Sequence, residues 1–284
     1  MPQSLFRLGQ PLAALALVLT LSGFAALESL FAPKAELWER WTAHDANSKT
    51  VVDHGPWDTF LKTYVKADPE DLNRVAYGSV TEADKKALHA YLAALRGVRV
   101  STLNHAEQQA YWINMYNALT VRLILDFYPV KTIQDIDLDT GFFSSGPWNK
   151  KLIKVEGELV SLNDVEHRIL RPIWKDPRIH YAVNCAAVGC PNLQRDAFTG
   201  ANIGAQLDRA ASAYVNSPRG AKLVDGGLVV SKIYSWFQED FGDSEDAVID
   251  HLERYASTDL ATKIVQVDSI SGYEYDWSLN GAER

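Results

Sequence analysis

The sequence predicts a single-domain α+β protein, an antiparallel sheet flanked by helices, and three observations carry that reading. Helical and strand-like segments interleave without the regular period of βαβ units, which disfavours a doubly wound sheet. One long apolar stretch with helical spacing, residues 104–127, contains no Gly or Pro and is long enough to form the spine of a core. No composition break, low-complexity linker or internal repeat divides residues 28–284, so these form one domain behind an N-terminal segment, residues 1–27.

That N-terminal segment has one positive residue, Arg7, then an apolar run from Pro11 that ends in Gly23-Phe24-Ala25. The run is short for a membrane span, which needs about 20 residues. Its small residues resemble a cleavage site, so a cleaved secretory signal is expected, with a retained anchor as the alternative. The expected location is therefore periplasmic or secreted, or else anchored to a membrane and facing the periplasm. Any membrane contact would run through this segment alone.

Leu37-Trp-Glu-Arg-Trp41 is the first expected ordered contact. Thr81 begins an amphipathic helix with Leu88, Tyr91, Leu92 and Leu95 on one face and Gly97 as its stop. On the long helix that follows, Asn114 and Asn117 share a face, and buried amides require partners. Two apolar runs around Glu156-Gly157 predict a hairpin. Ser161 then caps a helix, with Asp164 where a capping box usually carries Glu or Gln, and this helix runs to Trp174 despite Pro172. Asp176-Pro177 breaks the chain before 179–184, which reads as a strand. The remainder reads as a helix near 201–215, a hairpin at Asp225-Gly226-Gly227 and a helical turn over 234–241. A helix at 243–255 and strands at 263–267 and 272–275 complete it.

The chain is 47% apolar and 23% charged, enough to bury a full core, with a formal charge of −8. It has no basic stripe that could neutralise successive phosphates, so nucleic acid is excluded as an expected partner. Neither a cofactor nor a metal is expected, and the oligomeric state is left open.

The only two cysteines, Cys185 and Cys190, fall in one short turn after Asn184. A cysteine attacks only as thiolate and needs a nearby base or cation to lower its pKa from about 8.5. If residues 180–185 stay extended, His180 lies roughly 16 Å from Cys185 along the strand. His167, on the preceding helix, is not so constrained, and Glu166 or Asp164 could orient either ring. The amides of the turn around Gly189 and Pro191 offer an oxyanion hole. Three other readings stand beside this one. The cysteines pair as a disulfide in an oxidising compartment, or they bind zinc with a histidine, for which Cys-x4-Cys is a weak signal. Finally, Glu166 and Arg171 form a helix ion pair.

Four separated motifs, Ala110–Thr120, Ser161–Arg171, His180–Pro191 and Ser235–Phe241, together resemble the bacterial and plant family called domain of unknown function 547. The resemblance runs from about Leu37 to Asn280. It implies a fold similar to the papain-like cysteine peptidases, including phytochelatin-synthase-like enzymes that act on the γ-glutamyl peptide glutathione. Both histidines precede the cysteines here, which implies a permuted version of that fold. By this resemblance Cys185 is the nucleophile, His167 or His180 the proton shuttle and Glu166 the orienting carboxylate. Asn114, Asn117, Tyr116, Arg171, Asn184 and Cys190 would line the site. The expected function is an exported thiol-dependent hydrolase or transferase acting on a small peptide or amide. The alternative is a non-catalytic protein that binds a small glutathione-like peptide, its cysteines joined.

Overall fold

The computed structural model describes residues 32–68, 72–138 and 146–282, so the apolar run assigned to residues 1–27 lies outside the described residues. Among the described residues no helix is long and apolar enough to cross a membrane. After α1 (Gly55–Tyr64) and α2 (Glu82–Arg96), helix α3 (His105–Phe127) is the 23-residue spine that the sequence predicts. Thr81 caps α2 by accepting from the Asp84 amide, and Asn104 caps α3 by accepting from Glu107.

Helix α3 is buried on nearly every side, and its polar side chains serve as partners for the loops around it. Gln108 Nε2 donates to the carbonyls of Ala43 and Val100, at 2.7 and 2.8 Å. Glu107 Oε1 accepts from the Val52 amide at 2.8 Å, and the Tyr111 hydroxyl donates to the Leu95 carbonyl at 2.9 Å. Connections that pass over an apolar helix would otherwise bury unpaired backbone groups, each costing about 1–3 kcal/mol. The expected N-terminal contact also forms: Trp41 is buried and packs edge-on against Trp112 at 5.0 Å.

The strands form three small sheets. Pairs β1 (Val65–Ala67) with β2 (Asn73–Val75) and β3 (Ile153–Val155) with β4 (Glu158–Val160) are antiparallel, as is β5 (Ala221–Val224) with β6 (Gly227–Ser231). The two predicted hairpin turns, Glu156-Gly157 and Asp225-Gly226, place both central residues at positive φ, as a tight turn matched to strand twist requires. One pairing departs from the antiparallel expectation, because β7 (Ile270–Glu274) adds to β6 in parallel.

Two predicted strands are absent. Residues 179–184 instead follow a 3-10 turn, Pro177–Tyr181, because Asp176 caps the Arg178 amide and Pro177 supplies a fixed φ at the first helical position. Residues 263–267 fall at the end of a helix, Thr258–Ile264, whose start is capped by Ser257. Both stretches carry an apolar pattern that a strand and a buried helical turn share, and in both a local cap decides.

The predicted helix from Ser161 to Trp174 forms, with the reciprocal cap. The Ser161 amide donates to Asp164 Oδ2 at 2.8 Å, and the Asp164 amide donates to Ser161 Oγ at 3.1 Å. Unexpectedly, Asp164–Leu170 is wound as a π-helix before the α-helical turn α4 (Arg171–Trp174). Pro172 lacks the N–H that the carbonyls of His167 and Arg168 would need, and the N-terminal segment replaces it. Glu36 N donates to His167 O at 2.9 Å and Trp38 N to Arg168 O at 3.0 Å.

Candidate functional site

The apolar interior divides into two clusters, one around α3 and one in the C-terminal third. A cavity of about 500 Å³ opens between them, lined by Tyr116 and Val183 of the first cluster and Ile233 and Phe237 of the second. Glu166, His167, His180, Cys185 and Cys190 all line it. The sequence-predicted site residues therefore converge. The 16 Å separation expected between His180 and Cys185 does not apply, because the chain curls through the 3-10 turn instead of extending.

Cys185 and Cys190 are joined as a disulfide, and no free cysteine remains. The Cys185 amide donates to Cys190 Sγ at 3.0 Å, and the Tyr275 hydroxyl lies 3.1 Å from each sulfur. The turn amides proposed as an oxyanion hole are engaged within the protein. Ala186 N donates to Asn184 Oδ1, Val188 N to Ser278 O, Gly189 N to Asp276 O and Cys190 N to Ala187 O. A Cβ on Gly189 would meet the Asp276 amide nitrogen at 2.8 Å, so only glycine permits this approach of turn and C-terminal strand.

The predicted asparagines act as backbone clamps. Asn117 Nδ2 donates to Ala182 O and its Oδ1 accepts from Asn184 N, both at 2.8 Å. Asn114 does the same at Phe198, at 2.8 and 3.0 Å. Asn184 Nδ2 donates to Pro191 O at 2.6 Å and closes the disulfide loop. All three amides are committed at both ends, which corrects the expectation that Asn114 or Asn117 stabilises an oxyanion. They hold the irregular segment 182–198 against α3 in place of a strand neighbour.

Charged groups form a ring on one wall. Arg171, almost wholly buried, donates to Asp240 Oδ2 at 2.5 Å, Glu239 Oε1 at 2.8 Å, Pro33 O at 2.7 Å and His167 Nδ1 at 3.0 Å. It does not pair with Glu166 as the helix ion-pair reading expected, because its fork reaches across to the 238–241 turn instead. A guanidinium has no acceptor, so His167 Nδ1 carries the lone pair and Nε2 the proton. Burial, with Arg171 and His180 nearby, lowers the His167 pKa to about 4, so its ring is neutral at pH 7.

His180 stacks on Phe237 at 4.5 Å and meets Asp240 Oδ2 through Nε2 at 2.6 Å. Burial pushes the Asp240 carboxyl up, but hydrogen bonds from His180 and Arg171 and their charges outweigh it and hold the pKa at about 2. Glu166 sits between the rings, with His167 Nε2 and His180 Nδ1 each 4.0 Å from one of its oxygens. The Tyr116 hydroxyl faces Glu166 and Trp148, and burial together with the Glu166 charge raises its pKa well above the ordinary value.

The opposite wall is aromatic. Trp277 lies 5.8 Å from Trp148, 5.7 Å from Trp236 and 4.7 Å from Tyr275, each measured between ring centres. Asp240 and these four rings escaped the reading of the sequence. Asp240 stands inside the Ser235–Phe241 motif, so its neighbourhood was visible, whereas nothing in the sequence couples positions 148, 236, 275 and 277.

A family model described as "Protein of unknown function, DUF547" matches residues 100–215, which include α3, the π-helix and the disulfide loop. Neither the curated proteins nor the solved structures contain a significant match to the chain.

Proposed function

We propose that this chain, which over residues 100–215 belongs to the DUF547 family, is an exported protein that binds a small polar ligand in the disulfide-floored cavity. The observation that carries the reading is the Cys185–Cys190 bond. It leaves no resting thiolate in a cavity of ligand size, in which the remaining polar groups are fixed by one another. A small peptide or amide, such as a γ-glutamyl peptide, matches the mixture of carboxylate, imidazole and aromatic groups. Export is supported by the apolar run after Arg7 and by the disulfide, which persists only in oxidising compartments.

A second reading, a thiol-dependent hydrolase or transferase, is favoured by the His180–Asp240 pair facing the same cavity as Cys185. Asp240 orients the ring through Nε2 and leaves Nδ1 toward the cavity, an arrangement suited to a general base once Cys185 is reduced. Thiol titration of protein purified from its own compartment separates the two. The binding reading expects no alkylation of Cys185 or Cys190 until reductant is added. It also expects a saturable tryptophan-fluorescence change with small peptides or amides that are recovered intact. Rapid labelling of Cys185 below about pH 7, with turnover of an amide, would transfer the assignment to the hydrolase.

A further inference from the structure

We infer that the cavity selects a compact organic cation, an ammonium group held between the Glu166 carboxylate and the rings of Trp148, Trp236, Tyr275 and Trp277. The inference rests on the binding reading above and names its ligand class.

It begins from a charge deficit. Glu166 is only 8% exposed, and among the described residues no lysine or arginine nitrogen pairs with it. The nearby cations are engaged elsewhere: Arg171 by Asp240 and Glu239, and Lys151 and Arg168 by Asp164. The imidazoles do not fill the gap. His167 accepts a hydrogen bond from Arg171 and so presents a neutral ring, while His180 is bonded to Asp240. Counted over the ring, the carboxylates of Glu166, Glu239 and Asp240 face one guanidinium and one imidazole able to carry charge. Even with His180 protonated the wall is one positive charge short.

A buried carboxylate without a counter-charge is costly, and a bound cation would remove that cost. The facing wall suits the same ligand. Aromatic faces attract a cation within about 6 Å of the ring centre, most strongly where water is excluded, and several rings beside one carboxylate form an ammonium cage. Tyr116 joins the two halves, since its hydroxyl faces both Glu166 and the Trp148 indole. An anionic head group finds no free cation here, and a neutral one leaves Glu166 uncompensated. The excess negative charge of the whole chain, −8, favours the approach of a cation as well.

The test uses the disulfide-bonded full chain and follows tryptophan fluorescence and calorimetry. The probes are choline and its uncharged isostere 3,3-dimethylbutan-1-ol. Choline is expected to bind saturably, and the isostere about tenfold or more weaker, roughly 1.4 kcal/mol. Glu166→Gln is expected to remove that preference, and Trp277→Leu to weaken choline while sparing the fold, as judged by an unchanged melting temperature. Equal binding of choline and the isostere, or full choline affinity in Glu166→Gln, would overturn the cation assignment. So would a wild-type chain that takes up a neutral or acidic peptide but no choline, and that outcome would leave the binding reading standing. A freely alkylated Cys185 with amide turnover would remove the binding reading itself, whatever choline does.

Discussion

Arg171→Met tests the ring of charges most directly. The side chain is 1% exposed, and methionine fills much of its volume without a donor. The substitution leaves Pro33 O and His167 Nδ1 without their partner and Asp240 with His180 alone, while half-exposed Glu239 returns to water at little cost. Removing one partner of a buried ion pair costs about 3–5 kcal/mol, and the retained His180–Asp240 bond places this case near the lower end. With a urea m-value of about 2–3 kcal/mol/M, the unfolding midpoint should fall by about 1–2 M at pH 7 with m unchanged. The pH dependence follows with a definite sign. Asp240 is held at about 2 in the folded protein, so its stabilising contribution is complete above the unfolded value of about 3.9 and lost as pH falls toward 2. Without Arg171 that loss begins at a higher pH. A midpoint shift below about 0.3 M, under about 1 kcal/mol, would show that the ring is not a structural clamp and refute this account.

Three further outcomes are expected. His54, His167 and His251 are each held at about 4, burial being the largest cause, so all three fold neutral. A lowered histidine stabilises fully above its unfolded value of about 6.5 and loses that contribution as pH falls toward 4. Urea midpoints should therefore drop steeply between those values, with unfolding taking up as many as three protons; a flat profile would contradict neutral burial. Reducing the disulfide, or Cys185→Ser with Cys190→Ser, should cost about 2 kcal/mol by the chain-entropy estimate for so short a loop, read as a lower melting temperature. Asn117→Ala orphans Ala182 O and Asn184 N, at about 1–3 kcal/mol each, and should increase hydrogen exchange across 182–191; unchanged exchange there would show that α3 does not hold the loop.

The sequence by itself determined what depends on near neighbours. Thr81, Asn104 and the Ser161/Asp164 pair start the helices as their hydroxyl, amide and carboxylate oxygens dictate, and Glu156-Gly157 and Asp225-Gly226 make the tight turns. The clustering of Glu166, His167, His180 and the cysteines around one site was also legible, since they lie within 25 positions of one another on a helix and the turn after it. Tertiary structure decided the rest. The segment 179–184 carries a strand pattern but curls, because its backbone groups find partners in Asn117 rather than in a neighbouring strand. The π-helix depends on Glu36 and Trp38 supplying donors that Pro172 cannot, from more than 100 residues away in the chain. Asp240, the cage rings at positions 148, 236, 275 and 277, and the parallel pairing of β7 are likewise set by where two separate apolar clusters meet. Local patterns register which face of an element is apolar, but the partner of that face, and the charge left uncompensated between them, are fixed only when distant segments pack.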